Sequence, residues 1–230
     1  MSEKAPQDNC WDCLQDPAEK LRQMFVDIVQ TRRIQLGQSP ARRPVFLKPH
    51  GIAHGYFEVC KNLPADLKVG VFAHHRYTAW VRFASDTLPT NPDLKTTTGI
   101  AIKLFGVPGK KLLGDGDTQD FLMQNFDVFF VDTAVDMCEF TKAGVVDGNY
   151  EPYLHTHPVT NRILKEMAKV EPSVLTATYW SGLPYSFGKD RYVKYKLEPE
   201  AHDGVQPPND PDYLATDLER RLRAGEARFR

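Results

Sequence analysis

The spacing of apolar residues predicts helices in three parts of the chain. Asp16 can cap a helix that has Pro17 in its first turn and Glu19 to complete a capping box, and Gly37 is a suitable end. Residues 158–170 also carry apolar side chains at helical spacing. The third helix has leucines four residues apart, at Leu214, Leu218 and Leu222.

Between these helices, from about residue 40, short runs of β-branched and aromatic residues alternate with Gly, Pro, Asn and Asp. These runs are typical of strands and turns. They do not alternate with helices of ten residues, so a doubly wound parallel sheet is not expected and an antiparallel sheet or barrel is predicted. The predicted strands are residues 55–60, 78–84, 99–105, 127–131 and 191–197.

Composition narrows the class of protein. The chain has 230 residues, 41% of them hydrophobic, which is enough for a core. Lys and Arg number 29 against 30 Asp and Glu, so a nucleic-acid or anionic-membrane partner is not expected. No stretch of about 18 apolar residues predicts a membrane span. The polar N-terminus and the four cysteines favour a cytoplasmic, reducing location.

Four stretches of sequence, taken in order, carry a family resemblance. They are RPVFLKPHG with GYFEV (43–51 and 55–59), VRFAS (81–85), GIAIK (99–103) and NFDVFF (125–130). Their order and spacing resemble the catalase superfamily, and more closely its small bacterial catalase-related heme proteins. Residues 179–197 resemble the same small proteins.

This resemblance implies an α+β fold in which an antiparallel β-barrel, with helices packed outside it, holds heme b. The barrel domain is expected at residues 41–200, after an N-terminal arm and helix at 1–40. Residues 201–230 are expected to form a linker and a C-terminal helix. The resemblance also implies a longer heme protein, of which this chain is the distal wall and outer helices.

The resemblance transfers some catalytic and cofactor-binding roles and not others. Asn125 matches the Asn that steers peroxide, and Arg43 and Arg82 match arginines that bind the heme propionates. Phe46 stands where the family has its proton-transferring distal His. Ala84 stands where the family has the Ser that orients this His. Phe has no proton to transfer, so efficient peroxide disproportionation is not expected.

Two further residues have alternative interpretations. His50 and His54 share strand parity with Phe46, so His50 could replace the missing base, although it lies roughly 13 Å farther along an extended strand. Phe130 could pack on the porphyrin or simply fill a core. Arg191 and Tyr195 have the letter spacing of the family's axial ligand, but a strand separates their side chains by about 13 Å. No axial tyrosine is therefore identified.

The cysteine and histidine pairs of the sequence are interpreted without a redox or metal-binding role. Cys10 and Cys13 are more readily two idle thiols in a flexible terminus than a redox-active pair. His74, His75, His155 and His157 are interpreted as surface or hydrogen-bonded histidines, and no metal site is predicted.

The sequence thus leads to two functional hypotheses. The first is a heme-dependent oxidoreductase that acts on a small peroxide or hydroperoxide, more peroxidase-like than an efficient catalase and compatible with a homo-oligomer. The second is a catalytically silent catalase-fold domain that serves in binding or interaction, which the loss of the His, the Ser and the axial Tyr favours.

Overall fold

The computed structural model describes residues 11–111, 114–203 and 209–230. The chain forms two compact units: residues up to Pro44 together with Phe130–Lys165, and Val45–Phe129 together with Glu166–Arg230. The predicted division at residues 40 and 200 stays a prediction. In the described residues, no helix has the length and apolar character needed to cross a bilayer.

Helices dominate the first unit. The predicted first helix runs from Pro17 to Gln35 with a π-helical stretch in its middle, and the Asp16 carboxylate caps it by accepting the Glu19 N–H at 3.2 Å. Gly37, just beyond its end, has φ of 85°, a backbone conformation that glycine favours. The elements are α1 (Pro17–Arg22), the π-helix (Gln23–Gln30), α2 (Thr31–Gln35), α3 (Ala134–Val145), α4 (Glu151–Thr156) and α5 (Pro158–Met167), whose last two residues belong to the second unit.

A disulfide joins two parts of this first unit. Cys13 and Cys138 are bonded to each other, and both are buried beside Met24. The expectation of an idle thiol is therefore wrong for Cys13, because α3 supplies a partner 125 residues away. Cys10 lies outside the described residues, and Cys60 is a free, exposed thiol. A disulfide persists in an oxidising environment, so this bond does not support the reducing location inferred from the cysteine count.

The second unit is built on a six-stranded antiparallel sheet with the strand order β1-β2-β3-β4-β5-β8. The predicted antiparallel sheet is confirmed. In the described residues no ladder joins β1 to β8, so closure into a barrel stays a prediction. The strands are β1 (Lys48–Glu58), β2 (Arg76–Ser85), β3 (Thr98–Phe105), β4 (Thr118–Gln124), β5 (Tyr179–Ser181) and β8 (Lys196–Leu197), with β6 (Tyr185–Ser186) and β7 (Tyr192–Val193) in a separate hairpin.

Two predicted strands differ from the structure. Residues 127–131 form bends, whereas the strand lies just before them at β4. Residues 191–197 form only the two short strands β7 and β8. Residues 118–124 and 127–131 have similar apolar content. Only the first segment, β4, alternates between buried and exposed side chains, as a strand with one exposed face does.

The core lies against one face of this sheet. Helix α6 (Tyr213–Ala224) covers β1 on that face, and the Leu218 side chain lies so close to Gly51 that an added Cβ would be 2.8 Å from Leu218 Cδ2. Glycine therefore allows the helix to approach the strand, and a larger residue would displace the Leu218 side chain. The buried core residues include Tyr77, Phe83, Ile100, Leu104, Phe121, Val174, Tyr179, Tyr213, Leu214 and Leu218.

The disulfide gives a first testable prediction. Cys138→Ser, which opens the bond, should lower the free energy of unfolding by about 2–4 kcal/mol, because the bond restricts the unfolded chain. Urea unfolding measures this loss. Cys60→Ser is the matched control and should leave the urea midpoint unchanged, since Cys60 is exposed and unpaired. Equal midpoints for Cys138→Ser and the parent protein would contradict the assignment of the bond.

Candidate functional site

A β-bulge at His50 decides which side chains meet on each face of the sheet. Pro49 pairs with Ala84 and Gly51 pairs with Phe83, so His50 is an extra residue in the ladder. The imidazole of His50 is buried on the core face, whereas His54 pairs with Trp80 on the opposite, outer face. The predicted shared parity of the two histidines is therefore wrong, because the bulge shifts the alternation by one residue.

A buried ion pair lies next to the bulge, on the core face. Lys48 and Asp93 are only 3% and 1% exposed, and the Lys48 Nζ is 2.7 Å from Asp93 Oδ1. The same ammonium contacts an Asp212 oxygen at 2.8 Å and donates to the carbonyls of Asn91 and Pro211. Burial opposes the charge on Lys48, yet its bonds to Asp212 and Asp93 keep its pKa above the usual value.

This ion pair also anchors helix α6. The other Asp93 oxygen, Oδ2, accepts the backbone N–H of Leu214 in the first turn of the helix, at 2.9 Å. A carboxylate at a helix N-terminus satisfies an N–H that has no partner inside the helix. Asp93 therefore connects strand β1, through Lys48, to the helix that covers it.

The imidazole of His50 extends this network. Its Nε2 forms a hydrogen bond with Ser85 Oγ at 2.8 Å, and the Thr96 hydroxyl donates to the same Oγ at 3.1 Å. The Nδ1 atom lies 3.8 Å from Asp93 Oδ1. Burial lowers the pKa of His50 to about 4 despite the attraction of Asp93. The imidazole is thus neutral at pH 7.

Ser85, His50 and Asp93 have the residue types of a nucleophile, base and orienting acid. Accessibility decides against that chemistry, because Ser85 is 0% exposed and a nucleophile must contact its substrate. The sequence found His50 and missed Lys48, Ser85 and Asp93. An available signal was Lys48 itself, a charged residue in the first position of β1, where burial of the charge requires a partner.

The outer face of the sheet has a different chemistry. One row across four strands consists of Ile52, Arg82, Ala101 and Leu122, which are paired in that order. Ile52 and Leu122 are 62% and 60% exposed, so this row offers apolar surface on both sides of the Arg82 guanidinium. In the next row the His54 ring stacks on the Trp80 ring, with centroids 4.7 Å apart.

Phe46 covers the end of this outer face. Its backbone N–H donates to Asp86 Oδ1 at 3.1 Å, and its carbonyl accepts from Arg82 Nη2 at 2.7 Å. The ring lies against Gly99, where an added Cβ would be 2.5 Å from Phe46 Cε1. The structure therefore brings Phe46 and Arg82 together, and Gly99 provides the space that the phenyl ring fills.

Asn125 has a fully bonded side chain. It is completely buried, its Oδ1 accepts the Thr98 N–H at 3.2 Å, and its Nδ2 donates to Glu171 Oε1 at 2.9 Å. The Lys169 ammonium donates to its carbonyl at 3.1 Å. The amide oxygen of Asn125 thus binds the start of β3, and its amide nitrogen binds the segment that follows α5.

The remaining two predicted site residues belong to the first unit. Arg43 is exposed, and its carbonyl accepts from Arg33 Nη1 at 2.9 Å. The Phe130 ring contacts the Phe140 ring edge-on, with centroids 4.8 Å apart. Phe46, Arg82, His50 and Asn125 belong to the second unit. Their roles toward a cofactor stay predictions.

Comparison with known proteins identifies the fold. No protein-family model and no curated protein matches the chain. A solved structure described as a fungal catalase matches with a TM-score of 0.62 and 20% sequence identity. The match covers 85% of this chain and 42% of that catalase, so the chain spans less than half of the catalase's length. At this identity the match shows a catalase-like fold.

The buried His50 gives the second prediction. Its pKa is about 4 when folded and about 6.5 when unfolded, so the unfolded state binds the proton more tightly. The stabilisation is complete above pH 6.5 and is lost as the pH falls toward 4. Urea unfolding should show that the parent protein loses about 2 kcal/mol more between pH 7 and pH 5 than His50→Gln.

His54→Gln is the matched control for this experiment, because His54 is on the outer face of the same strand. It should keep the pH dependence of the parent protein. If His50→Gln also keeps it, the neutral buried imidazole is ruled out.

Proposed function

We propose that this protein is a heme-dependent oxidoreductase that acts on peroxides, related to catalases in fold and more peroxidase-like than an efficient catalase. The observation that carries the proposal is Arg82, a guanidinium set between exposed apolar side chains on the outer face of a catalase-like sheet. The partly buried Arg82 guanidinium donates to the Phe46 carbonyl, and its planar fork of N–H donors also has the geometry that binds a carboxylate such as a propionate.

The outer face has a composition that suits a flat apolar ligand with an acidic edge. Ala101 gives a small residue beside Arg82, and Ile52 and Leu122 give apolar margins. Ala84 and Gly99 continue this face, where Ala84 is only 1% exposed and the Phe46 ring covers Gly99. The row of Ile52, Arg82, Ala101 and Leu122 therefore suits one edge of a porphyrin and one propionate, and a macrocycle that extends over Gly99 requires the Phe46 ring to move. Heme b would supply the redox iron, and its axial ligand is not identified among the residues of this chain.

The polar groups near this surface support the peroxidase-like preference. Heterolytic cleavage of an O–O bond is accelerated by a side chain that moves a proton between the two oxygens. Phe46 cannot do this, the Asn125 amide is already bonded on both sides, and the His50 imidazole is on the core face. An apolar wall of this kind favours an organic hydroperoxide over hydrogen peroxide as substrate.

A second candidate function, a catalytically silent binding domain, is favoured by one observation. The Phe46 ring occupies the space above Gly99, where a small-residue floor would otherwise be open to a ligand. In that case Arg82 has a structural role as the donor to the Phe46 carbonyl. Heme binding separates the two candidates.

The third prediction concerns Arg82. Titration of the protein with hemin should give a Soret band distinct from that of free hemin, and Arg82→Gln should weaken heme binding at least tenfold, because a charged hydrogen bond to a propionate is lost. Arg76→Gln is the matched control: Arg76 is on the same face of β2 and stacks on Tyr56. It should keep the affinity of the parent protein.

Circular dichroism of both variants checks that the sheet is intact, since Arg82 also donates to the Phe46 carbonyl. No bound Soret band in the parent protein would favour the silent binding domain. A bound band that is equally affected by both arginine variants would contradict the assignment of Arg82.

The fourth prediction restores a proton-transferring group. Phe46→His with Ala84→Ser should raise oxygen release from hydrogen peroxide by the heme-loaded protein about 100-fold, the usual contribution of a positioned acid–base group. Phe46 has φ of 51°, a conformation that His adopts more readily than most residues. An oxygen electrode measures the rate.

Ala84→Ser alone is the control and should leave oxygen release unchanged, because a hydroxyl without an imidazole transfers no proton in this role. Heme content, measured by the Soret band, must be equal in all samples. A double variant that binds heme and gains no activity would eliminate Phe46 as the reason for weak disproportionation, while heme binding itself would stand.

A further inference from the structure

Three potential metal ligands meet in the first unit. One oxygen each from Asp136 and Glu139 and one ring nitrogen from His157 lie within 4.8 Å of one another. Asp136 and Glu139 are three residues apart on α3, so their side chains share one face of the helix. His157 immediately follows α4.

The imidazole of His157 is oriented by groups outside the cluster. Its Nδ1 is 2.8 Å from the carbonyl oxygen of Tyr153, and its ring stacks on the buried Tyr153 ring at a centroid distance of 3.9 Å. A carbonyl only accepts, so Nδ1 carries the proton and Nε2 keeps its lone pair. Histidines that bind metals usually have this arrangement, with the second nitrogen donating to a carbonyl or carboxylate.

The carboxylate of Asp136 is also held in place. Its Oδ2 accepts the N–H of Thr133 at 3.2 Å and the Thr133 hydroxyl at 2.7 Å, in the capping box of α3. These bonds use one oxygen and fix the direction of the other. Asp136 thus supplies a positioned oxygen, as ligating carboxylates with a hydrogen-bonded second oxygen do.

Glu139 supplies the third donor and connects the cluster to open space. It lines a cleft of about 550 Å³ together with Trp11, Lys142 and Tyr153. The cleft gives room for a water molecule or a small exogenous ligand beside Glu139. Such an open position, next to three protein ligands, distinguishes reactive metal sites from closed structural ones.

We propose that Asp136, Glu139 and His157 form a site for a divalent transition-metal ion of the zinc class, with a fourth position open to the cleft. Two carboxylate oxygens and one imidazole nitrogen suit Zn²⁺, Co²⁺ or Mn²⁺. A tetrahedral shell at about 2.1 Å needs donors about 3.4 Å apart, so the flexible Glu139 side chain closes onto the ion. The sequence interpretation of His157 was a surface or hydrogen-bonded histidine without a metal, and its ring nitrogen does bond to the Tyr153 carbonyl.

The experiment is isothermal titration of the purified protein with Zn²⁺, and with Co²⁺ as a spectroscopic probe. Zn²⁺ should bind with a stoichiometry of one, and Glu139→Gln and His157→Gln should each weaken it at least tenfold. Glu139→Gln is preferred to a change at Asp136, because Asp136 also caps α3. His155→Gln is the matched control, since His155 is exposed on α4 and lies outside the cluster.

Two additional readouts make the result decisive. Co²⁺ should give the visible absorption of a low-symmetry site in the parent protein and in His155→Gln, and lose it in the other two variants. Zn²⁺ at 100 times its dissociation constant should shift the folding equilibrium about 100-fold, seen as a higher Tm. Absence of binding at 1:1, or binding that survives Glu139→Gln and His157→Gln, would overturn the proposal.

Discussion

The extra residue at His50 is the constraint on which the second unit depends. Lys48, His50, Ile52 and His54 are alternate residues, and in a regular strand all four would share one face. The bulge between Pro49 and Gly51 divides them, so that Lys48 and His50 are inside while Ile52 and His54 are outside. One inserted residue therefore separates the polar network of the core from the apolar outer face.

The core face and the outer face of the sheet also differ in energetics and in exposure. Inside, two charges are removed from water, and removal of one partner from such a pair typically costs about 3–5 kcal/mol. The pair survives because Asp212, two carbonyls and the Leu214 N–H complete its hydrogen bonds. Outside, the row that contains Arg82 is exposed and apolar at both ends. The core face therefore contains the interactions that stabilise the unit, and the outer face contains the surface that we assign to a ligand.

Sequence reasoning was most successful where a local pattern determines the structure. The helix at Asp16, the helix that carries Leu214 and Leu218, and strands β2 and β3 were all predicted, because capping, leucine spacing and β-branched runs act locally. The catalase-like fold was predicted from the resemblance of four motifs. The match with a solved catalase supports this fold at the level of architecture.

The misses come from contacts between distant residues. Cys13 is bonded to Cys138, which lies 125 residues away on α3. Asp93 contacts Lys48 of β1, 45 positions earlier, and no local pattern in the sequence indicates either pair. The bulge at His50 has no signature in spacing, since a count of alternate residues assumes a regular strand. For the candidate site, the sequence named Phe46 and Arg82, which do meet, and it gave His50 the wrong face.

The proposal that heme binds the outer face of the sheet is tested most directly by a crystal structure of the protein grown with hemin. It predicts the macrocycle over the row of Ile52, Arg82, Ala101 and Leu122, with a propionate on the Arg82 guanidinium and His50 still bonded to Ser85. A macrocycle bound elsewhere would contradict the assignment of heme to the outer face, and a His50 imidazole turned out of the core toward the iron would contradict the separation of the two faces.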